Sequence, residues 1–213
     1  MKYYKAVFLL VFLAACSNGS KKIDVVKDKM LQAVPVDSSV KYFRYDDTSQ
    51  INRNILENWG SEVLYRLREP LLNTFTGDGD FLRLTWLRAF ENPIVVRVNR
   101  FGDTSYINLK QLKIKQNPAG KPIILKDTII NIEKEKWDEI LLSVNQNNFW
   151  QSVYADTSIN KDGAIWFLEC RLTNRYKVIQ RWDDGYLSSK ELINYAGPLI
   201  NYLEKYTQFR SIR

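Results

Sequence analysis

Hydrophobic positions along this chain recur with two different periods, and the switches between them mark its elements. From Gln50 to Leu67 the period is helical. Ile51, Ile55, Trp59, Val63 and Leu67 recur every four residues, and Leu56 and Leu64 widen the stripe. Thr48 or Ser49 can cap the start, and Gly60 costs the helix about 1 kcal/mol relative to alanine. Glu69-Pro70 stops it, because the residue before proline avoids helical geometry. From Phe81 to Ile114 the period is two. Leu82, Leu84 and Trp86 alternate with Arg83, Thr85 and Leu87, and Asn92-Pro93 turns the chain. Ile94, Val96 and Val98 then alternate with Val95, Arg97 and Asn99, and Phe101-Gly102-Asp103 turns it again. In the third run Ile107 and Leu109 share a face, whereas Leu112 and Ile114 have the opposite parity. A one-residue slip near Lys110-Gln111 reverses the facing unless a bulge absorbs it. The three runs predict an antiparallel meander.

Shorter segments complete the expected fold. Ile23 to Val34 reads as a weak amphipathic helix and Val40 to Tyr45 as a first strand. After a turn at Pro118 to Pro122, Ile123–Leu125 and Thr128–Ile130 read as short strands. Asn131 is placed as the cap of a second helix with Trp137, Ile140, Leu141 and Val144 inward, and Phe149-Trp150 follows its end. Ala164–Leu172 and Tyr176–Trp182 form a hairpin. A third helix starts at Ser188, where Ser188-x-x-Glu191 matches a capping box, and carries the stripe Leu192, Ala196, Leu199 and Leu203. Gly197-Pro198 is expected to kink or break it. The expectation is a single α+β domain, an antiparallel sheet of about five to seven strands with about three helices packed on one side.

The hairpin register decides where its polar groups go. A three-residue turn at Thr173 to Arg175 sets Leu172 against Tyr176, Cys170 against Val178 and Trp166 against Trp182, gathering apolar side chains on one face. A two-residue turn would set that face against Arg175, Lys177 and Arg181, so the first register is preferred. It puts Glu169 diagonal to Arg181, close enough for a cross-strand ion pair. Of the tryptophans, Trp59, Trp86, Trp137 and Trp166 fall on core stripes. Trp150 and Trp182 lie near element ends and are the candidates for a surface role.

The chain opens with Lys2 and Lys5, an apolar run from Ala6 to Leu13, and the sequence Leu13-Ala14-Ala15-Cys16. This is the layout of a secretory signal peptide, too short for a spanning helix. Its end resembles the lipobox of bacterial lipoproteins, and the resemblance implies cleavage before Cys16 and diacylglyceryl transfer to its thiol. Residues 1–15 are then the signal peptide, 16–35 a lipid-anchored tether and 36–213 the domain. The resemblance also implies a place in the bacterial cell envelope, anchored to the outer membrane with either its periplasmic or its surface-facing leaflet.

Composition narrows the chemistry. The chain has no histidine, which removes Ser-His and Cys-His nucleophile systems and every histidine-containing zinc site. Loss of Lys2 and Lys5 lowers the formal charge from +7 to about +5. Lys and Arg are scattered without the runs that mark a nucleic-acid arm, so no nucleic-acid partner is expected. A mild positive field favours anionic headgroups or acidic glycans. With Cys16 lipidated, Cys170 has no disulfide partner and reads as a buried strand residue. Gly77-Asp78-Gly79-Asp80 lacks the ligand spacing of a calcium loop and reads as a surface turn. No cofactor motif is present.

Phe149-Trp150, Asp162-Gly163-Ala164-x-Trp166-x-x-Glu169, Tyr176 and Arg181-Trp182 together form a pattern that resembles one in small bacterial lipoproteins of the Bacteroidetes type. The likeness covers roughly Asn131 to Trp182 and departs at Asp183-Asp184, where the pattern has Ser-Pro. It implies a fold and no activity. The candidate binding residues are Trp150, Asp162, Glu169, Arg181 and Trp182. The leading expectation is a non-enzymatic, lipid-anchored protein that binds an envelope protein or glycan. A carboxylate-dependent enzyme acting on glycans, or an immunity or inhibitor lipoprotein, are the alternatives.

Overall fold

The computed structural model describes residues 34–43, 53–88, 91–113, 121–154, 163–173, 175–183 and 190–207. The segments carrying Cys16, the Ile23 helix, the Thr48 cap, Asp162 and Ser188 lie outside the described residues. Among the described residues six strands form one antiparallel sheet in the order β4-β3-β2-β1-β5-β6. They are β1 Asp80–Arg88, β2 Ile94–Phe101, β3 Thr104–Leu112, β4 Ile124–Ile132, β5 Ala164–Leu172 and β6 Arg175–Asp183. Three helices, α1 Arg53–Arg66, α2 Lys134–Gln146 and α3 Lys190–Thr207, make it an α+β domain.

The meander forms as its alternation predicts, with Leu84 opposite Val96 and Val96 opposite Leu109. The facing in β3 does reverse: Ile107 and Leu109 lie in one core and Leu112 in the core on the opposite face, and the register irregularity beside Gln111/Leu112 leaves its extra residue, Leu125, on β4. The two short segments after Pro122 are one continuous strand. Asn131 pairs with Tyr106 inside that strand, and Glu133 precedes α2 without a side-chain cap bond. Val40 to Phe43 is no strand: Tyr42 and Phe43 lie buried along α1, where the Tyr42 N–H donates to Ser61 Oγ at 3.3 Å.

Helices cover both faces of the sheet, which corrects the one-sided arrangement. On one face Leu82, Leu84, Trp86, Val96, Ile107, Trp166 and Leu168 meet Trp137, Ile140 and Val144 of α2 and the full stripe Leu192, Ala196, Leu199 and Leu203 of α3. On the other face Leu87, Val95, Ile165, Phe167 and Val178 meet Val63, Leu64 and Leu67 of α1 with Tyr42 and Phe43. Burial on both sides explains why β1 and β5 read as almost continuously apolar.

Helix α3 runs unbroken through Pro198. Proline lacks the N–H that would bond to the carbonyl four residues back. That carbonyl, on Asn194, accepts instead from Asn147 Nδ2 at 2.7 Å, from the end of α2. The helix does not break there, and the carbonyl that the proline leaves is satisfied by a neighbour distant in sequence.

Gly60 also gains its reason from packing. A Cβ at this position would lie 2.8 Å from the Phe43 ring and 3.2 Å from the Phe167 ring, and those rings are stacked with centroids 4.3 Å apart. Helix α1 reaches the sheet at this point because glycine has no side chain. Gly60→Ala is therefore expected to destabilise by about 1–3 kcal/mol through overpacking, despite its helix propensity. Urea denaturation checks this, and a stabilised variant would refute the close-approach account.

The two sheet edges differ. Outside β6, Gln180 N–H donates to the Tyr154 carbonyl at 2.7 Å, so residues 150–154 strap that edge. At the other edge, β4 carries Lys126 and Asp127 in mid-strand, charges that discourage pairing with another sheet.

Candidate functional site

Of the residues singled out in the sequence, Trp150, Glu169, Arg181 and Trp182 lie among the described residues. The β5–β6 hairpin uses the two-residue turn, with Leu172 opposite Arg175, Cys170 opposite Lys177 and Trp166 opposite Arg181. The three-residue register is overturned. Two causes are visible. Both faces are buried, so a slip exchanges one apolar surface for another. The strained turn residue Thr173, at φ 28°, is anchored when its N–H donates to Asp80 Oδ1 at 3.0 Å. The basic residues of β6 reach polar atoms at the rim of their face. Lys177 Nζ donates to the Trp150 carbonyl at 2.9 Å, and the Arg175 guanidinium lies 4.4 Å from the Trp150 ring centroid.

Glu169 and Arg181 consequently point to opposite faces and do not pair. Arg181 Nε and Nη2 donate to the two oxygens of Glu191 at 2.6 and 2.8 Å, and its Nη1 donates to the carbonyls of Val153 and Tyr154 at 3.1 and 3.0 Å. Tyr195 Oη also donates to Glu191, at 3.1 Å, so that carboxylate docks α3 on β6. Trp150 donates through Nε1 to Asn145 at 2.9 Å. Trp182 is half-buried on the α1 face, packed against its core.

Glu169 belongs to a buried ionic cluster beneath the chain that links α1 to β1. Arg83, its direct partner on β1, donates Nε and Nη2 to its two oxygens at 2.6 and 2.8 Å, and Tyr176 Oη donates at 2.9 Å. Arg83 and Glu169 are fully buried. Arg83 Nη1 donates to the Pro70 carbonyl at 2.8 Å. Beside this pair sits Glu69, also fully buried. Arg97 Nη1 donates to its Oε2 at 2.5 Å, the Lys110 ammonium lies 3.0 Å from Oε1, and Arg83 is 3.7 Å away. Burial pushes the Glu69 carboxyl upward, but Arg97, Lys110 and Arg83 outweigh it and hold the group below the ordinary carboxylate range. Lys110 Nζ also donates to the Leu67 carbonyl at 2.7 Å. On the same side, Arg171 donates to the carbonyls of Phe75 and Gly79 at 2.7 and 2.6 Å. The Gly77–Asp80 segment is thus a turn held by Arg171 from above the sheet.

This cluster is a clamp made of charge. Arg83, Arg97, Lys110 and Arg171 each take a carboxylate or a backbone carbonyl from residues 67–79, so the segment is fixed over β1 and β2 without a regular element of its own. In the sequence Glu69 marks only a helix stop. The usable signal was three cations, Arg83, Arg97 and Lys110, at interior positions of adjacent strands otherwise rich in valine and leucine. Cys170 lies fully buried on the opposite face, and burial pushes its thiol far up, as an inert core residue requires.

A second feature opens to solvent. At the junction of β4 and α2, facing the last turns of α3, a cleft of about 450 Å³ is lined by Asn131, Ile132, Glu133, Lys136, Asn201, Tyr202 and Lys205. Lys136 Nζ donates to Glu139 at 2.7 Å and lies 5.7 Å from the Tyr202 ring centroid. Among the described residues there is no grouping of acidic or thiol side chains suited to a metal ion, and no helix is long and apolar enough to cross a membrane. No protein-family model and no curated protein matches this chain.

Proposed function

We propose that this chain is a lipid-anchored protein of the bacterial envelope whose folded domain binds an envelope component and performs no catalysis. The anchor rests on the Leu13-Ala14-Ala15-Cys16 lipobox and on the likeness of Phe149 to Trp182 to Bacteroidetes-type lipoproteins. The observation that supports binding over hydrolysis is the state of Glu169, the carboxylate that the same pattern singles out. Both of its oxygens are held by Arg83, and Oε1 also accepts from Tyr176. A glycosidase carboxylate has to gain or lose a proton at a substrate. One fixed in a buried bidentate pair is suited to holding strands together.

Cys16→Ser tests the anchor. The wild-type chain is expected in the membrane fraction carrying acyl mass, and the variant in the soluble fraction without it, since two or more acyl chains give stable anchoring. Recovery of wild-type protein in the soluble fraction, unlipidated, would end this reading. Cross-linking in intact cells, followed by identification of what co-purifies, tests the binding role. An envelope glycan or protein captured reproducibly supports it, and glycan hydrolysis abolished by Glu169→Gln without a change in melting temperature would replace it with the enzyme.

A further inference from the structure

We infer that the cleft between the β4–α2 junction and α3 is a binding site for an acidic sugar, an inference that rests on the binding-protein reading and names its ligand class. The volume of about 450 Å³ lies within the range of small-molecule sites and accommodates one or two pyranose rings. The lining carries three kinds of group that sugars use. Asn131 and Asn201 are carboxamides, each offering two donors and an acceptor to neighbouring hydroxyls. Tyr202 supplies an aromatic ring, half-buried and seated on the core, against which the apolar C–H face of a sugar can pack. Glu133 makes no cap bond to α2, which leaves its carboxylate to accept from hydroxyls.

The charges select the acidic kind. Lys136 and Lys205 place two ammonium groups in the lining beside one carboxylate, Glu133, while Glu139 answers Lys136 from outside it. Lys136 is held at the wall by Glu139, close to the Tyr202 ring, instead of ranging through solvent. An anionic lipid would also answer to the lysines, but Ile132 is the one aliphatic side chain in the lining, too little to seat an acyl chain.

The walls come from fixed elements. Asn131 and Ile132 are paired with Tyr106 and Ser105 of β3. Helices α2 and α3 are tied by Ser143 Oγ donating to the Tyr195 carbonyl at 2.7 Å and by the Asn147 bond to Asn194. A site built on strand and helix needs little ordering when it binds.

The test uses the detergent-purified full chain and saturation-transfer NMR with four probes: glucuronate, glucose, glycerol 3-phosphate and inorganic phosphate. Glucuronate is expected to bind at least about tenfold more tightly than glucose or either phosphate. Binding should weaken as salt rises, because the lysine contribution is screened. Tyr202→Ala and the double variant Asn131→Ala/Asn201→Ala are each expected to weaken it about tenfold or more. Both amides are exposed, so the double variant should keep the wild-type melting temperature and report on binding alone. Glucuronate binding unaltered by both variants, tighter binding of glycerol 3-phosphate, or no sugar binding would each overturn the inference. Failure here leaves the parent reading standing if in-cell cross-linking still captures a partner elsewhere, and Cys16→Ser fractionation decides the anchor independently.

Discussion

Arg83→Met is expected to destabilise the domain by about 3–5 kcal/mol, the range for removing one partner of a buried ion pair. Arg83 is fully buried and satisfies three groups at once: both oxygens of Glu169, the Pro70 carbonyl and, at 3.7 Å, Glu69. Methionine matches much of its volume but none of its donors. Glu169 would keep only the Tyr176 hydroxyl, as a buried carboxylate without a counter-charge. The loss is mainly the cost of that stranded charge, so deleting both charges should recover most of it. Arg83→Met/Glu169→Met is therefore expected to be more stable than Arg83→Met alone, though short of wild type because the Pro70 carbonyl stays unpaired. Urea denaturation of the four proteins of this cycle measures the coupling. If Arg83→Met unfolded within 1 kcal/mol of wild type, a range typical of exposed pairs, the buried geometry described above would be wrong.

The same residues show how far the sequence could be read. Alternation placed Leu82, Leu84, Trp86, Val96 and Val98 on one face correctly, and the parity change after Leu109 marked where β3 sends Leu112 into the core on the other face. Those are local patterns. Alternation could not choose the hairpin register, because β5 is buried on both faces and either register hides apolar side chains. The choice was made by polar partners outside the hairpin: Glu191 for Arg181, the Trp150 carbonyl for Lys177 and Asp80 for the turn. Glu169 was legible as a carboxylate that matters, but its partner lies 86 positions away on β1. Glu69 is hidden by its adjacency to Pro70, since a helix stop by itself accounts for the pair. The cleft combines the end of a strand, the start of α2 and the polar side of α3, three segments each unremarkable by itself.

Glu69→Gln is expected to lower stability at neutral pH by about 3–5 kcal/mol and to flatten the fall in stability on acidification. The Glu69 carboxyl is surrounded by Arg97, Lys110 and Arg83, and glutamine leaves three cations facing no charge at this point. The pH dependence follows from the direction of its shift. Desolvation raises the carboxyl, yet the three cations bring it below its ordinary value of 4.5. A group depressed in the folded state contributes stability that is fully present above its unfolded value. That contribution drains away as pH falls below 4.5 and through the lower folded value, where the folded carboxylate takes up its proton. Wild-type protein should thus lose urea resistance steeply on going from pH 5 to pH 3. Glu69→Gln, already weakened at pH 7, should lose distinctly less over the same interval, since position 69 no longer titrates. Tyr42 frames the measurement from the other side. Burial pushes its phenol upward while its hydroxyl donates to the Glu69 carbonyl at 2.8 Å, so it remains a neutral donor throughout the acid range and cannot supply the slope. Parallel acid profiles for the two proteins would show that Glu69 is not ionised in the native domain, and the clamp over β1 and β2 would then need a different source of charge.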